Sequence, residues 1–588
     1  MTEVLAAFSL VEHAVSAAMA RVLPRELSKR DPLVRPSEHA DFQSNAALSL
    51  AKDAGMPPRE LAHALQQELC GSGAVSSTVS GPGFLNLAVA DAQLWGLVEA
   101  RLADHRLGLG LPLASTRTVV DYSAPNIAKE MHVGHLRTTV IGDCLVRVLM
   151  FLGGDVVRQN HLGDWGTQFG MLIQYIDEHP EAQWRGGTAE PGAGEQVSVL
   201  DSLYRAARQT FDADPAFVER ARQRVVALQS GDEATLAVWR ELVEVSTAAF
   251  QQLYDRLGVL LTEPDCAGES TYNPFLDEVV AELVEAGIAV DSDGALCVFF
   301  ENVTGPEGEP VPLIVRKKDG GYGYAATDLA TIRYRIRKLE ADRILYVVDA
   351  RQALHFQMVF DTARRAGWLT DDVEAVHVPF GTVMGPGGTP FKTRSGGTVR
   401  LSELLDAAVA GAREAMAGKA HDLTGDALER VIEAAGIGAV KYADLSTSRA
   451  KNYVFDTAQM VSLQGNTGVY MQYAHARVRT ILGKAPKDAL EQPIDTTLPL
   501  HSAERALILL LDGFDATVRE VAQELEPHRL CGHLFALAKA LTDFYGACPV
   551  LKAETPARRA NRLALCRLTA GTLALGLDLL GLQAPDRM

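Results

Sequence analysis

Hydrophobic residues occur in two kinds of run along this chain of 588 residues. Short continuous apolar runs, at residues 118–120 and 343–348, are typical of strands buried on both faces of a parallel sheet. Longer runs with a period near 3.6 residues, such as residues 136–151, 457–482 and 502–525, predict helices. Residues 376–383 predict a further strand. The alternation of strands and helices after residue 117 predicts an α/β domain built on a parallel sheet.

The segments on either side of this domain have different patterns. Residues 1–112 combine helical periodicity at 5–22 and 58–69 with alternating runs at 74–79 and 84–89, which predicts a separate α+β domain. From residue 401 onward the chain is helical, which predicts a bundle. We therefore expect three domains, with a mainly helical insertion in the second at about 180–320. Their predicted ranges are 1–112, 113–455 and 456–588.

Composition excludes some classes and leaves others open. The hydrophobic fraction is 47% and the net charge is −18, so nucleic-acid binding would depend on local patches and shape. The seven cysteines are scattered without a C-x-x-C pair, so we expect neither a disulfide framework nor a zinc site, and a reducing cytoplasm fits. The amino-terminal residues lack the basic start of a secretory signal. The apolar run 573–582 is too short to cross a membrane.

The most informative stretch is residues 121–135, between the predicted strand 118–120 and the predicted helix 136–151. A helix amino terminus leaves backbone N–H groups free, and its dipole favours an anion there. Gly134 presents no side chain, so a flat purine can lie on the backbone, and His132 and His135 can hydrogen-bond phosphate oxygens. The alternative is an ordinary strand-to-helix turn with two satisfied histidines.

The string from Ser123 to His135 resembles the arginyl-tRNA synthetase version of the HIGH signature of class I aminoacyl-tRNA synthetases. The resemblance extends to residues 163–170 and to both flanking domains. It implies a Rossmann-type catalytic domain that ligates L-arginine to tRNA-Arg through an arginyl-adenylate, with ATP and Mg²⁺. In this family arginine activation generally requires bound tRNA. A monomer without membrane association is expected.

The resemblance also assigns site residues. The catalytic residues would be His132, His135, Lys129 and Lys392. Those in contact with ATP would be Pro125, Asn126, His132, Gly134, His135, Lys392 and Arg394. Those in contact with arginine would be Asp121, Ser123, Asn126, His132, Tyr324, Asp328 and Gln352.

The residue chemistry supports part of this assignment. Tyr324 and Asp328 are four residues apart and share one face of a predicted helix, and carboxylates grip a planar guanidinium through paired hydrogen bonds. Asp328 is also suited to stabilising the start of that helix. Which of Gln352, His355 and Gln357 contacts arginine stays open at this point.

Two further segments carry alternatives. Residues 392–395 are Lys-Thr-Arg-Ser, where class I enzymes usually have KMSKS, and by resemblance Lys129 compensates; the alternative for Lys392 and Arg394 is a solvated loop. In the carboxy-terminal region the resemblance predicts tRNA contacts. The residues are Asn466, Tyr470, Tyr473 and Arg477. Aromatic and arginine side chains suit unpaired bases, although an aromatic stripe at this spacing is more often core.

Two other functions stay open. A ligase of the same superfamily for another amino acid is one. Cysteine would require a zinc site, and large aliphatic amino acids would usually bring an editing domain, for which the insertion lacks room. The other is a tRNA-binding paralogue without activity, which the presence of both His132 and His135 argues against.

Overall fold

The computed structural model describes most of the chain. The described residues are 6–70, 73–181, 184–185, 193–301, 303–304, 309–385, 387–389, 399–417 and 423–588, with the backbone alone for 193–196. In this part of the chain no helix has both the length and the apolarity needed to cross a membrane.

The amino-terminal domain is a four-stranded antiparallel sheet, with strand order β1-β2-β4-β3, and four helices. Its elements are α1 (Ala7–Val22), β1 (Val34–Pro36), β2 (Phe42–Ser44), α2 (Ala46–Leu50), α3 (Pro58–Leu69), β3 (Val75–Ser80), β4 (Phe84–Val89) and α4 (Asp91–Ala103). The predicted α+β class is confirmed. The sequence pattern did not indicate β1 and β2, because three residues are too few to show alternation.

The central domain alternates strands and helices around its insertion. Its elements are β5 (Arg117–Asp121), α5 (Val133–Phe151), β6 (Asp155–Gln159), α6 (Thr167–Glu178), α7 (Ala193–Ala213), α8 (Pro215–Ser230), α9 (Glu233–Leu257), the 3₁₀ helices η1 (Glu263–Asp265) and η2 (Glu269–Phe275), α10 (Leu276–Glu285), β7 (Val290–Ser292), β8 (Ala295–Val298), β9 (Leu313–Arg316), α11 (Tyr324–Arg337), β10 (Arg343–Tyr346), η3 (Ala350–Gln352), α12 (Ala353–Arg365), β11 (Glu374–His377), β12 (Val383–Met384) and α13 (Leu401–Met416). The insertion lies between α6 and α11.

After α13 the chain is mainly helical, as predicted, first in the end of the central domain and then in the carboxy-terminal domain. Its elements are α14 (Gly425–Leu445), β13 (Tyr453–Val454), α15 (Thr457–Met460), α16 (Gly468–Gly483), α17 (Lys487–Leu490), α18 (Ser502–Asp512), α19 (Phe514–Glu524), α20 (His528–Ala547) and α21 (Pro556–Leu579).

The four-stranded parallel sheet has the order β11-β10-β5-β6. The chain leaves β5 towards β6 on one side and later returns through β10 on the other. This change of direction makes a crevice at the carboxyl ends of β5 and β10, where ligands bind in open α/β sheets. Helix α5 packs closely over β5: a Cβ built on Gly142 would lie 2.3 Å from the Tyr122 Cβ.

The sheet separates two hydrophobic cores. Val119 and Ile344 face a core that contains α10, α11 and α12. Val120 and Leu345, their neighbours in sequence, face the larger core, which contains α5 and the carboxy-terminal helices. This alternation is the period of two expected of strands. The continuous apolar runs in the sequence thus reflect burial on both faces.

Three predicted elements are wrong in extent. The strand predicted at 376–383 is two short strands, because Pro379 lacks a donor N–H and Gly381 donates instead to the Arg449 carbonyl (2.8 Å). The helix predicted at 457–482 is interrupted at 461–467, where Thr467 caps α16. The helix predicted at 502–525 divides at Gly513.

A buried ion pair joins the amino-terminal domain to the carboxy-terminal helices. Arg101 on α4 lies 2.7 Å from the Asp512 carboxylate at the end of α18, and both side chains are almost fully buried. The other Asp512 oxygen accepts a hydrogen bond from the backbone N–H of Ala7 (2.7 Å). One carboxylate therefore binds α1, α4 and α18 together.

Asp512→Asn is expected to destabilise the protein by about 3–5 kcal/mol, because it leaves the Arg101 guanidinium buried without a countercharge. Urea unfolding measures the loss. Asp53→Asn is the control, since the Arg30–Asp53 pair (2.7 Å) is exposed and worth about 1 kcal/mol or less. Equal effects of the two substitutions would contradict this account of the domain junction.

Candidate active site

The turn from β5 to α5 has an unusual backbone. Ser123, Ala124 and Ala128 have φ values of 75°, 47° and 61°, in the left-handed region that side chains other than glycine disfavour. Side chains from three elements accept hydrogen bonds from their backbone N–H groups: Thr138 from Ser123 (3.0 Å), Asn160 from Ala124 (3.0 Å) and Ser246 from Ala128 (2.9 Å). The surrounding structure therefore determines the path of the turn.

The two histidines are oriented by backbone hydrogen bonds. His132 is the N-cap of α5, and its Nδ1 accepts from the Gly134 N–H (3.0 Å). The His135 Nδ1 accepts from the His132 N–H (3.1 Å). Because a backbone N–H can only donate, each neutral ring carries its proton on Nε2. Both rings therefore present an Nε2–H donor.

Both histidines are neutral at physiological pH. Burial, then the positive charge of Lys129, lowers the pKa of His132. Burial, then His132 and Lys129, lowers the pKa of His135 to about 3. The ring centroids are 4.1 Å apart. The N–H groups of residues 133–135 are already bonded within the protein. The phosphate oxygens would therefore be bound by the two neutral histidine donors, at a helix start whose dipole favours an anion.

Pro125 and Asn126 pair with the loop that follows β6. The Gly163 N–H donates to the Pro125 carbonyl (3.1 Å), and the Ile127 N–H donates to the Gly163 carbonyl (3.1 Å). A Cβ on Gly163 would lie 2.3 Å from the Asn126 Oδ1. Glycine at 163 thus allows the Asn126 amide to lie against this loop.

A group of acidic side chains lies on the other side of the crevice. The Asp328 carboxylate on α11 is 2.6 Å from the His355 Nε2 on α12. Burial, then the charges of Asp164 and Asp328, raises the pKa of Glu269 to about 8. Asp164 is buried and accepts hydrogen bonds from the Ser270 N–H (2.9 Å) and Oγ–H (2.6 Å). Carboxylates crowded in this way favour a bound cation.

Tyr324 lies at the open edge of this acidic group. Its side chain is 71% exposed at the first position of α11. Desolvation, then the nearby Glu269 and Tyr204, raises the pKa of its phenol. The structure therefore brings the predicted residues Tyr324 and Asp328 together with Glu269.

Asp121 and Ser123 are engaged inside the protein. The Asp121 carboxylate is 2.8 Å from the guanidinium of the fully buried Arg335. The Ser123 hydroxyl is 2.7 Å from the Tyr254 hydroxyl, and its side chain is 1% exposed. These contacts argue for structural roles, and the expected contacts of both residues with arginine stay predictions.

The three polar residues of the η3–α12 segment are in different surroundings. Gln352 is exposed and precedes α12. His355 is bonded to Asp328. Gln357 lines a separate cavity of about 650 Å³ with Phe299 and Arg364. His355 is thus the member of this set that contacts the acidic group directly.

Lys129 is half-buried, and its Nζ lies 4.4 Å from the centroid of the Tyr204 ring on α7. The predicted residues Lys392 and Arg394 lie outside the described residues. The chain emerges from that segment beside the signature: the Val133 N–H donates to the Val399 carbonyl (3.1 Å) and the Leu401 N–H to the Met131 carbonyl (2.9 Å). Backbone hydrogen bonds therefore join the signature to residues 399–401, which follow the second predicted ATP segment in sequence.

The predicted tRNA residues lie on and before α16. Tyr473 is exposed, and the Arg477 guanidinium is 4.8 Å from the centroid of the Tyr545 ring on α20. Tyr470 is half-buried with its ring edge against Phe535. An aromatic and cationic surface of this kind can stack on unpaired bases.

Asn466 precedes the capping residue Thr467. Its Oδ1 accepts a hydrogen bond from the Tyr442 hydroxyl on α14 (2.6 Å). Both residues line an open cavity of about 610 Å³. This bond orients the Asn466 amide at the rim of that cavity.

The sequence predicts neither a disulfide framework nor a zinc site. All seven cysteines are free thiols. Among the residues that the structure describes, no three His, Cys, Asp or Glu side chains are grouped to hold a metal ion.

The class of this fold and site is shown by family models. Residues 98–457 match the catalytic domain of class I tRNA synthetases (R), residues 471–588 the DALR anticodon binding domain, and residues 9–89 the arginyl tRNA synthetase N terminal domain. The protein is thus a class I tRNA synthetase.

Relatives narrow the class to a family. The arginine–tRNA ligase of Frankia casuarinae is 66% identical over 581 residues, covering 98% of both chains, and that of Streptomyces avermitilis is 51% identical over 595 residues, covering 100% of both. The solved arginyl-tRNA synthetase of Plasmodium falciparum has 27% identity and a TM-score of 0.80, covering 99% of both chains. The chain belongs to the arginyl-tRNA synthetase family.

Sequence reasoning missed two members of the acidic group. Glu269 lies in the insertion, far from the signature in sequence, and no motif indicates it. Asp164 belongs to the 163–170 loop, to which the resemblance extends without assigning a site residue. Gly268, the residue before Glu269, packs against Asp164, since a Cβ there would lie 2.2 Å from the Asp164 carboxylate, but this contact is visible only in the folded protein.

Gly134→Ala is expected to lower arginine activation at least about tenfold, because the new Cβ would lie 2.7 Å from the His132 Cε1 and displace the ring. Gly532→Ala on α20 is the matched control, since its Cβ meets no atom within 4 Å and alanine favours the helix. The measurement is ATP–pyrophosphate exchange with arginine and tRNA-Arg. Wild-type exchange in Gly134→Ala would refute this account of the histidine turn.

Proposed function

We propose that the chain joins L-arginine to tRNA-Arg for protein synthesis, with Mg²⁺-bound ATP as the co-substrate. The observation that carries this proposal is the juxtaposition, at one sheet edge, of a neutral donor pair and a group of carboxylates of which Asp164 is buried and Asp328 and Glu269 are half-buried. The first suits the phosphates of ATP and the second suits a guanidinium.

In the first step an arginine carboxylate oxygen attacks the α-phosphorus of ATP. The bond from that phosphorus to the bridging oxygen breaks, which gives arginyl-adenylate and pyrophosphate. The Nε2–H groups of His132 and His135 donate to phosphate oxygens, and Lys129 stabilises the charge that develops on the leaving pyrophosphate. This is catalysis by positioning and electrostatics, with no covalent enzyme intermediate.

The arginine side chain binds in the acidic group. Asp328 and Glu269 accept hydrogen bonds from the guanidinium, and Tyr324 covers it from the open side. His355 orients Asp328 through the 2.6 Å contact. We assign Asn126 and Gln352 to the polar end of the amino acid, near the reacting carboxylate.

In the second step a ribose hydroxyl of the tRNA terminal adenosine attacks the arginyl carbonyl carbon, and AMP leaves. The tRNA is held at a distance from this chemistry by Asn466, Tyr470, Tyr473 and Arg477. Local aromatic and cationic contacts are needed, because a net charge of −18 supplies no general attraction for RNA.

The proposal also includes the domain ranges, the cellular location and the oligomeric state. We keep the domain ranges 1–112, 113–455 and 456–588, and we assign the activity to the cytoplasm. The expected monomeric state stays a prediction that sedimentation of the purified chain would check.

The experiment that tests the function is amino-acid-dependent ATP–pyrophosphate exchange, with and without tRNA-Arg, followed by aminoacylation. Exchange with arginine alone among the twenty amino acids is the expected result, and it should depend on tRNA-Arg. Exchange with another amino acid would contradict the arginine site. Folded protein that binds tRNA without any exchange would favour the inactive paralogue.

The KM for arginine is expected to fall as the pH rises from about 6 to 8, and then to level off. The pKa of Glu269 is raised to about 8 in the free site, so below that pH the guanidinium must displace a proton. The slope should not exceed about tenfold per pH unit. Steady-state kinetics at saturating ATP and tRNA measure it.

Glu269→Gln is the control for this pH dependence. It should raise the KM for arginine and remove the slope, because an amide has no proton to lose in this range. A wild-type KM that is flat between pH 6 and 8, or an unchanged slope in Glu269→Gln, would contradict the assignment.

A further inference from the structure

Helix α7 of the insertion lies against the signature turn. Its Tyr204 ring contacts the Lys129 ammonium, with 4.4 Å between Nζ and the ring centroid. One turn and a half earlier, the Ser198 hydroxyl donates to the Glu130 carboxylate. Glu130 also pairs with Arg400 (2.6 Å), which follows the second ATP segment. The insertion therefore touches two consecutive residues of the signature.

Tyr204 also borders the amino-acid side of the crevice. Its phenol lies near Tyr324 and contributes to the raised pKa of that residue. On the ATP side, the Asp201 carboxylate of the same helix lies near His132 and opposes the lowering of the pKa of that imidazole. Residues 198, 201 and 204 are three apart, so this side of α7 follows the turn from Glu130 towards the acidic group.

We propose that Tyr204 is a positioning residue for the first step, whose ring holds the Lys129 ammonium where the pyrophosphate leaves. The inference rests on the proposed role of Lys129. A lysine side chain has four rotatable bonds and loses considerable rotamer entropy when it is ordered. The ring face orders the ammonium in advance of the reaction.

A ring is a suitable holder for a catalytic cation. A carboxylate partner would neutralise the ammonium and compete with the phosphate, whereas a ring attracts the charge without removing it. Among the described residues, no carboxylate forms an ion pair with Lys129. The nearby Glu130 is instead occupied by Arg400 and Ser198.

The test is a double-mutant cycle on the full-length chain. The variants are Tyr204→Leu, Tyr204→Phe, Lys129→Gln and the combination of Tyr204→Leu with Lys129→Gln. ATP–pyrophosphate exchange with arginine and tRNA-Arg gives kcat and the KM values for ATP and arginine. Phe211→Leu is the matched control, because Phe211 is an aromatic of the same helix and contacts Arg208 away from the turn.

Tyr204→Leu is expected to lower kcat about three- to thirtyfold with little change in the KM for arginine, the range expected for a partly desolvated cation–π contact. Tyr204→Phe should stay within about twofold of wild type, because the ring face is retained. Phe211→Leu should leave kcat unchanged. In the Lys129→Gln background, Tyr204→Leu should have no further effect.

Three results would overturn the inference. The first is a kcat of Tyr204→Phe as low as that of Tyr204→Leu. The second is an equal loss of kcat in Phe211→Leu. The third is a loss of kcat on Tyr204→Leu in the Lys129→Gln background as large as in the wild-type background. Failure of the proposed role of Lys129 is distinguishable, since Lys129→Gln would then exchange pyrophosphate at the wild-type rate. In that case the site description without Lys129 would still stand.

Discussion

The structure depends on a strained turn held by its surroundings. Three non-glycine residues between β5 and α5 have positive φ, and each of these backbone conformations costs on the order of 1–3 kcal/mol. The backbone N–H groups of the turn donate to side chains on α5, just after β6 and on α9, and these hydrogen bonds fix its path. The turn delivers His132 to the N-cap of α5, and backbone bonds then fix both rings as Nε2–H donors. Any change in those supports moves the phosphate site.

The two halves of the crevice have opposite electrostatic properties. On one side, burial keeps the histidines neutral, so they donate without adding fixed charge. On the other, burial and mutual repulsion leave Glu269 protonated near neutral pH until a cation arrives. The buried Arg335–Asp121 pair below the crevice shows the same guanidinium–carboxylate chemistry within the protein itself. In the proposed arginine site, the substrate would use the same kind of interaction that stabilises the scaffold.

The sequence predicted the architecture because its signals are local. The apolar runs at β5 and β10 and the glycine and histidines of the turn are visible along the chain, and so are the helical bundle and the pairing of Tyr324 with Asp328. Contacts between residues distant in sequence could not be predicted in this way. Glu269 becomes part of the site only when the insertion folds back, and Asp121 faces Arg335 because α11 packs beneath the sheet. The interruption before α16 depended on a cap, Thr467, within an otherwise periodic run.

The central claim is that the half-buried carboxylates of Asp328 and Glu269 select a guanidinium at this sheet edge. The most direct measurement compares kcat/KM for arginine with that for citrulline, which has nearly the same shape but no charge. The account predicts a preference for arginine of at least about a thousandfold, because citrulline leaves the carboxylates without a cationic partner. Comparable values for the two amino acids would contradict it.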